Sequence, residues 1–184
     1  MEYRSLTADE ISRLESNGCV CHDWSRVKVA DAFSASACRS VRFSGDVELG
    51  DLSGSFTLEG GIVLPAGITN AAIHNCRIGN HVYIKDISNY LAGYDVADDV
   101  FIENVDRIVA TGKSSYGNGV DVSVLNETGG REVPMYERLS AQIAYLIAMY
   151  RHRPAMVARL RQMIADFAAM RGSQRPVVGH HARV

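Results

Sequence analysis

The stretch Ile78-Gly79-Asn80-His81-Val82-Tyr83 opens a series in which a large apolar residue returns at every sixth position. Around it, from about residue 27 to residue 125, short runs of Val, Ile, Leu and Phe alternate with Gly, Asn and Asp. That alternation is typical of short strands joined by tight turns. The members of the series are Ile78, Ile84, Tyr90, Val96, Ile102 and Ile108. A sustained period of six predicts a repeated strand-and-turn unit whose apolar residue points inward.

The period of six also occurs upstream, although it slips once. Phe43 and Leu49 are six residues apart, whereas three isoleucines near the middle of the chain follow one another at steps of five. Phe56, Ile62 and Ile68 also follow one another at steps of six. The isoleucines at steps of five are Ile68, Ile73 and Ile78. We therefore expect the regular repeat to be disturbed around residues 68–78.

These features resemble the hexapeptide-repeat family, whose six-residue unit is an aliphatic residue, a glycine, two free positions, a small or aliphatic residue and one further residue. The resemblance covers about residues 41–125 and rests on residues 78–83 above all. It implies a left-handed parallel β-helix in which three hexads make one triangular coil. The handedness is implied by the resemblance alone, since ordinary parallel crossovers are right-handed.

Segments outside the repeats resemble a narrower, functionally uncharacterised bacterial family of β-helix proteins, sometimes labelled transferases. The segments that carry this resemblance are Gly18-Cys19, Asp23-Trp24, residues 125–134 and Tyr150-Arg151-His152-Arg153-Pro154. Members of that family are longer and continue with further coils. The resemblance therefore implies that this chain corresponds to an N-terminal part of such a protein.

Helical patterns lie on both sides of the repeats. Thr7 and Glu10 form a capping box, which predicts a helix over residues 7–17 that Gly18 terminates. After Pro134 apolar residues recur at spacings of three and four, which predicts a helical hairpin over residues 135–151 and 154–171. The predicted fold class is mainly β, a left-handed parallel β-helix with a short N-terminal helix and a C-terminal α-helical hairpin. The predicted segments are 1–40 (N-terminal helix and lead-in), 41–125 (β-helix), 126–134 (polar exit loop), 135–171 (hairpin) and 172–184 (flexible tail).

The charge and hydropathy of the chain argue against nucleic acid and membranes as binding partners. The net charge of −2 excludes a bulk attraction for nucleic acid, although residues 135–184 hold eight arginines against two acids. The longest uncharged apolar run, residues 139–150, is shorter than the roughly 20 residues that a membrane span requires. The N-terminus lacks the apolar core of a signal peptide. We expect a cytoplasmic protein that binds neither nucleic acid nor membrane.

The four cysteines are Cys19, Cys21, Cys38 and Cys76. In a cytoplasmic protein they are expected to be reduced. Cys19-Val20-Cys21-His22 could contribute to a metal site, but its one-residue gap differs from the usual spacing and no second ligand pair follows. The favoured interpretation is buried thiols and no metal.

The resemblance implies an enzyme in which a histidine on a coil face acts as general base near physiological pH. His74, followed by Asn75, lies where the repeat slips, and such a slip can re-aim a side chain. His81 lies at a regular outward position. We predict that His74 and Asn75 are the catalytic residues; the alternative is that both histidines are ordinary surface residues.

Two loops could bind an anionic ligand. Asn126, Glu127 and Arg131 surround Gly129-Gly130, and such a loop can offer backbone amides and one arginine to a phosphate or carboxylate. Asn118 lies in a second glycine-rich loop, residues 114–119, which lacks the lysine of a P-loop. We predict that these four side chains bind the ligand; the alternative for residues 126–132 is a structural exit turn.

Two classes of function follow. The first is a transferase that acts on a sugar nucleotide or another anionic small molecule, with acyl-CoA or another acyl thioester as the donor that the resemblance implies. The second is a non-catalytic β-helix that scaffolds or oligomerises a larger protein. For either class the resemblance implies a homo-oligomer, most often a trimer with sites between subunits.

Overall fold

The computed structural model describes residues 2–124, 129–173 and 175–184, and its contacts divide the chain into two units. Unit 1 comprises residues 1–111 and 175–184, and unit 2 comprises residues 112–174. The described part is mainly β, with three α-helices, a six-stranded sheet, a seven-stranded sheet and two strand pairs. Unit 1 is therefore built from two stretches of chain that are far apart in sequence.

The elements of unit 1 that precede residue 112 are mostly strands of two or three residues. They are β1 (Arg4–Ser5), α1 (Ala8–Ser16), β2 (Val20–Cys21), β3 (Val27–Val29), β4 (Cys38–Ser44), β5 (Val47–Leu49), β6 (Ser55–Thr57), β7 (Val63–Pro65), β8 (Gly67–His74), β9 (Arg77–Ile78), β10 (Tyr83–Lys85), β11 (Tyr90–Ala92), β12 (Asp95–Val96), β13 (Phe101–Glu103) and β14 (Arg107–Val109). Short 3₁₀ turns lie at Trp24–Arg26, Ala35–Ala37 and Glu59–Gly61.

Three parallel ladders join these strands. In the first, β3, β5, β9 and β12 lie side by side, and β1 adds antiparallel to β3. In the second, the first parts of β4 and β8 are followed by β10 and β13. In the third, β2 and the latter parts of β4 and β8 are followed by β11 and β14. Because Ile84 pairs with Ile68 on one side and Ile102 on the other, neighbouring strands come from positions about three hexads apart.

The aliphatic residues of the period of six form the interior between the ladders. Ile78, Ile84 and Ile102 are fully buried and Val96 nearly so, which confirms the inward position predicted for them. The prediction is wrong at Tyr90, which is 40% exposed, while its neighbour Leu91 is fully buried. The segment between β10 and β11 is one residue longer than the period requires, so the inward position moves to Leu91. Ile108 is only partly buried.

The corners between ladders explain why turn-forming residues recur. Asn75, His81, Asp99 and Asn104 all have φ between 49° and 60°, the left-handed region that Asn, Asp and His enter more readily than most residues. Gly79 is required for a different reason. A Cβ there would lie 2.8 Å from the carbonyl carbon of Ala97 in the next turn of the chain. The glycine after the aliphatic residue thus permits close stacking of successive corners.

The segment between β5 and β8 departs from the repeat. Strands β6 and β7 pair antiparallel as a hairpin, with Phe56 opposite Leu64. Phe56 belongs to a separate apolar cluster with Tyr83 and Phe101, and Ile62 is 58% exposed. The period of six through Phe56 and Ile62 is therefore not part of the parallel ladders.

The N-terminal helix confirms the capping box. Thr7 Oγ1 accepts from the Glu10 amide, and Glu10 Oε2 accepts from the Thr7 amide at 2.8 Å. Arg4 donates to both oxygens of Glu10, at 2.9 and 2.7 Å. These hydrogen bonds hold the pKa of Glu10 down to about 2. Leu14 secures the helix to the main core of unit 1.

Unit 2 contains one antiparallel strand pair and two helices. The strands are β15 (Asp121–Ser123) and β16 (Glu132–Pro134), and the helices are α2 (Ala141–Met149) and α3 (Pro154–Arg171). Ser140 caps α2 by accepting from the Ile143 amide, so this helix begins later than the apolar period predicts. Residues 112–124, assigned from the sequence to the β-helix, belong to unit 2. None of the helices in the described ranges has the length and apolar character needed to cross a bilayer.

The last ten residues return to unit 1. Strand β17 (Val177–Val178) pairs parallel with β12, and the Ala182 carbonyl accepts from the Phe101 amide at 2.9 Å. The sequence analysis assigned residues 172–184 to a flexible tail, and the structure differs for residues 175–184. Residues 175–184 thus provide hydrogen-bond partners for backbone groups of β12 and β13 that would otherwise lie at the edge of their ladders, and β-branched residues such as Val177 and Val178 suit such a position.

Candidate functional site

His74 lies at the end of β8, on the outward side of the third ladder. It pairs in register with Ser44 in one neighbouring strand and with Ala92 in the other. The imidazole is exposed, and the residue in register with it in the next strand, Ala92, has a short side chain. His74 Nδ1 lies 2.8 Å from Ser44 Oγ, and His74 Nε2 lies 2.9 Å from Asn75 Nδ2.

The orientation of Asn75 determines the tautomer of His74. Asn75 Oδ1 accepts from the Asp46 amide at 2.9 Å, so Asn75 Nδ2 is the group that faces His74 Nε2. Because Nδ2 can only donate, Nε2 must accept, and the hydrogen of the neutral ring is then on Nδ1, where it is donated to Ser44 Oγ. We call Ser44, Asp46, His74, Asn75 and Ala92 the His74 corner.

The arrangement in the His74 corner disfavours Ser44 as a nucleophile. An activated serine donates its hydrogen to the histidine, whereas Ser44 Oγ accepts from His74 Nδ1. The basic lone pair of the corner is that of His74 Nε2. Asn75 Nδ2–H donates to this lone pair.

Other groups stabilise the His74 corner. Arg26 donates to both carboxylate oxygens of Asp46, at 3.0 and 2.9 Å, and this hydrogen bonding lowers the pKa of Asp46. Arg175, from the returning C-terminal segment, donates to the Asn75 carbonyl at 3.4 Å and forms an ion pair with Asp95 at 2.5 Å. The backbone beneath His74 is therefore fixed by contacts from three parts of unit 1.

His81 lies at a different corner with different partners. Its Nδ1 is 2.7 Å from Asp99 Oδ1, and its Nε2 is 3.1 Å from the Ser55 carbonyl. The ring stacks on Phe56 with centroids 4.3 Å apart, and His181 Nδ1 lies 3.8 Å from Asp99 Oδ2. The hydrogen bond from His81 lowers the pKa of Asp99. We call Ser55, Phe56, His81, Asp99 and His181 the His81 corner.

The sequence analysis did not find Ser44, Asp99 or His181. Asp99 follows His81 by 18 residues, which is one full turn of three hexads, so the period itself contains this signal. Ser44 precedes His74 by 30 residues, because the β6–β7 hairpin lengthens that turn. Because this hairpin is inserted between the two residues, the period of six does not reveal that Ser44 and His74 lie in register.

Asn118 lies in unit 2 and its carboxamide is engaged by nearby backbone. Asn118 Nδ2 donates to the Ser115 carbonyl at 2.8 Å, and its Oδ1 accepts from the Glu137 amide at 2.9 Å. The side chain is 8% exposed. These contacts stabilise the turn at residues 115–118, and a ligand would have to replace them.

Two of the predicted ligand-binding residues, Asn126 and Glu127, lie outside the described residues. Arg131 lies in unit 2 just before β16 and is partly exposed. Beside it, Glu132 Oε1 accepts from the Gly130 amide at 3.0 Å. Arg161 donates to both oxygens of Asp121, at 2.8 and 2.7 Å, and to the Glu132 carbonyl, which secures α3 to the β15–β16 pair.

The cysteines lie in apolar surroundings. Cys19, Cys38 and Cys76 are buried, and burial raises the pKa of each of their thiols, which disfavours the reactive thiolate. Cys21 is partly exposed and donates from Sγ to the Asp23 carbonyl. Across residues 2–124, 129–173 and 175–184, no three His, Cys, Asp or Glu side chains are grouped so as to hold a metal ion.

Comparisons with known proteins identify relatives without an assigned activity. No solved structure matches the chain. An uncharacterised protein of Treponema pallidum (strain Nichols) is 28% identical over 172 residues, which cover 88% of this chain and 24% of the relative. The chain therefore spans about a quarter of the length of that protein. The family described as a domain of unknown function, DUF4954, matches residues 3–184, and the chain belongs to this family.

Proposed function

We propose that unit 1 is a left-handed parallel β-helix of hexapeptide repeats. Three features support this proposal: the parallel ladders, the distance of about three hexads between paired positions, and the left-handed residues at the corners. The handedness follows from the family resemblance described above. A crystal structure with a right-handed coil, or with an antiparallel sandwich, would contradict it.

We further propose that the chain acts as a transferase that moves an acyl group from an acyl thioester, such as acyl-CoA, to a hydroxyl of an anionic small molecule. The observation that carries the proposal is the exposed His74 imidazole, whose hydrogen bonds to Ser44 and Asn75 leave the basic lone pair on Nε2. A general base must present such a lone pair to the hydroxyl that it deprotonates. His74 is held on a strand, where its position is well defined.

In this mechanism the substrate hydroxyl replaces Asn75 Nδ2–H at His74 Nε2. The hydroxyl gives its proton to Nε2 while its oxygen forms a bond to the thioester carbonyl carbon. The carbon–sulfur bond then breaks, and the departing thiolate takes the proton from Nε2. The products are an ester and a free thiol, and Asn75 Nδ2, once displaced, is a donor that can stabilise the carbonyl oxygen as it gains negative charge.

Arg131, with Asn126 and Glu127, remains the predicted ligand-binding loop, and Asn118 is better explained by its backbone contacts. We place the activity in the cytoplasm, where thioesters are available and buried thiols stay reduced. We also propose a homo-oligomer, most simply a trimer. Sedimentation that gives a monomer across micromolar concentrations would contradict the oligomer.

Thiol release from acetyl-CoA in the presence of a panel of sugar phosphates and nucleotide sugars tests the transferase. We expect His74→Gln to slow release by about 10²–10⁴-fold, the usual contribution of a general base, without a change in fold. His152→Gln, a change of another exposed histidine, is the matched control and should retain full activity. If the folded wild-type chain releases no thiol with any donor and acceptor pair, the transferase proposal is wrong.

A specific observation favours a second function, a non-catalytic scaffold. Residues 175–184 add to the ladders after unit 2, and the chain corresponds to 24% of a longer relative. A scaffold of this kind provides ladder edges for further coils. It predicts that Val177→Pro weakens the fold or the assembly, because proline removes a backbone donor at that edge, while no acyl donor is turned over.

A further inference from the structure

A groove of about 430 Å³ lies on the third ladder of unit 1, beside Asn70 and Ala72 of β8. Its lining is mainly polar, and residues from four successive turns of the chain contribute to it. We call it the Arg42 groove; its principal residues are Ser40, Arg42, Asn70, Ala72, Ser88 and Asn89. No functional role was predicted for any of them from the sequence.

The groove exists because Ala72 has a shorter side chain than the residues in register with it on neighbouring strands. Arg42 pairs in register with Val20 on one side and with Ala72 on the other. Leu91 pairs with Ile73, so the next outward residue in the row is Tyr90. The short Ala72 side chain leaves a depression beside Arg42, in a row whose next register position is that of Tyr90.

Arg42 is available to bind an anion. Within the described ranges no acidic side chain lies within ion-pair distance of its guanidinium, in contrast to Arg26, Arg77 and Arg161, which are each paired. The side chain is exposed and lines the groove. A guanidinium suits phosphate because its planar set of donors matches two phosphate oxygens.

Two amide side chains of the groove each donate a hydrogen bond to a carboxylate. Asn70 Nδ2 donates to Asp86 Oδ1 at 2.8 Å, and Asn89 Nδ2 donates to Asp106 Oδ1 at 2.9 Å. These hydrogen bonds fix the two amides so that each carboxamide oxygen remains as an acceptor. A ligand with hydroxyl groups can donate to such oxygens, whereas a bare anion cannot.

The Arg42 groove and the His74 corner share one face of one strand. Ala72 and His74 are two positions apart in β8, and side chains at such positions project from the same face at a separation of about 6.4–6.8 Å. That distance is close to the length of a monosaccharide ring with one attached group. One ligand can therefore bind at Arg42 with one end and reach His74 Nε2 with the other.

We infer that the Arg42 groove binds the phosphate of a hydroxyl-bearing phosphate ester, of the size of a sugar phosphate, and directs one of its hydroxyls to His74. This inference rests on the proposed transferase and names its acceptor substrate. The phosphate binds Arg42 above Ala72, and the carbohydrate hydroxyls donate to Asn70 and Asn89.

Isothermal titration of the full chain with glucose 1-phosphate, inorganic phosphate and glucose tests the inference. We expect glucose 1-phosphate to bind more tightly than inorganic phosphate, and glucose to bind most weakly. Arg42→Gln should weaken binding of glucose 1-phosphate at least tenfold. The matched control is Arg39→Gln, since Arg39 is an exposed arginine in the same strand that lies in the second ladder. Ala72→Leu, which fills the depression, should weaken binding without removing a charge.

Three results would overturn the inference: no binding of either phosphate compound, an unchanged affinity in Arg42→Gln, or an equal loss in Arg39→Gln. The last result would indicate non-specific attraction between charges. Binding is measured without any acyl donor, so it does not depend on turnover. Arg42-dependent binding in a chain that never releases thiol would sustain the groove as a phosphate-ester site and refute the transferase.

Discussion

The His74 corner and the His81 corner present the same residue type on the same scaffold in opposite chemical settings. His74 has a hydrogen-bond donor, Asn75 Nδ2, at one ring nitrogen and is exposed beside a small alanine. His81 has acceptor oxygens at both nitrogens, so only a ring with hydrogens on both satisfies both contacts. It is also covered on one face by Phe56. The difference teaches that the chemical setting of a histidine on this scaffold depends on the residues that neighbouring turns of the chain place beside it.

The largest expected effect concerns the interior on which both corners rest. Ile102 is fully buried, and Ile102→Ala should lower the free energy of unfolding by about 2–5 kcal/mol because it leaves a cavity. Urea denaturation gives this value. The partly buried Ile108 provides the comparison, since Ile108→Ala should cost less. Equal losses of unfolding free energy for the two variants would contradict the assignment of Ile102 to the interior and Ile108 to its margin.

A smaller loss is expected at Gly79, two residues before His81, where successive turns of the chain stack closely. Gly79→Ala places a Cβ 2.8 and 2.9 Å from the backbone carbonyl carbon and oxygen of Ala97. We expect a loss of about 1–3 kcal/mol, the usual cost of overpacking. Gly179→Ala is the control, because no atom lies within 4 Å of the added carbon. If Gly79→Ala were as stable as Gly179→Ala, close stacking against Ala97 would not explain the glycine at position 79.

The two histidines themselves give the direct comparison. His81→Asn keeps a residue that tolerates φ of 49° but loses the contact with Asp99 and the stacking on Phe56. We expect it to lower the melting temperature more than His74→Asn does, because His81 loses both the contact with Asp99 and the stacking on Phe56, whereas His74 loses only hydrogen bonds at an exposed position. Thermal denaturation of both variants measures this. A larger loss for His74→Asn would reverse the assignment of structural and functional roles.

The smallest effect is a dependence on pH at the His81 corner. The hydrogen bond from His81 lowers the pKa of Asp99 below the ordinary 3.8. The stabilisation by this carboxylate is therefore complete above about pH 4 and is lost as the pH falls through the lowered pKa. The stability difference between wild type and Asp99→Asn should be steady from pH 4 to 6 and shrink at pH 3. A stability difference between wild type and Asp99→Asn that grows as the pH falls would contradict the hydrogen bond from His81 to the Asp99 carboxylate.

The sequence predicted the elements that depend on local chemistry. The capping box at Thr7 and Glu10, the existence of two helices after Pro134 and the inward positions of Ile78, Ile84 and Ile102 follow from hydrogen-bonding capacity and apolar period. These features require no knowledge of which distant strands pair.

The features that the sequence did not reveal depend on distant pairing. The extra residue between β10 and β11 moves the inward position from Tyr90 to Leu91. The β6–β7 hairpin separates Ser44 from His74, although the two lie in register. The return of residues 175–184 could not be anticipated, because the short run Val177-Val178 carries no sign of its partner β12. The Arg42 groove was missed for the same reason, since it depends on Ala72 lying between two larger residues.

The return of the C-terminal segment has a consequence for the order in which the chain folds. Asp95 pairs with Arg77 on one side and with Val177 on the other, so the first pairing closes a loop of about 18 residues and the second a loop of about 80. For flexible loops the difference in closure entropy amounts to about 1.3 kcal/mol. Strand β17 should therefore join last in folding and detach first in local unfolding. Because Arg175 contacts the Asn75 carbonyl, this detachment would release the backbone under His74 while the remaining ladders stay paired.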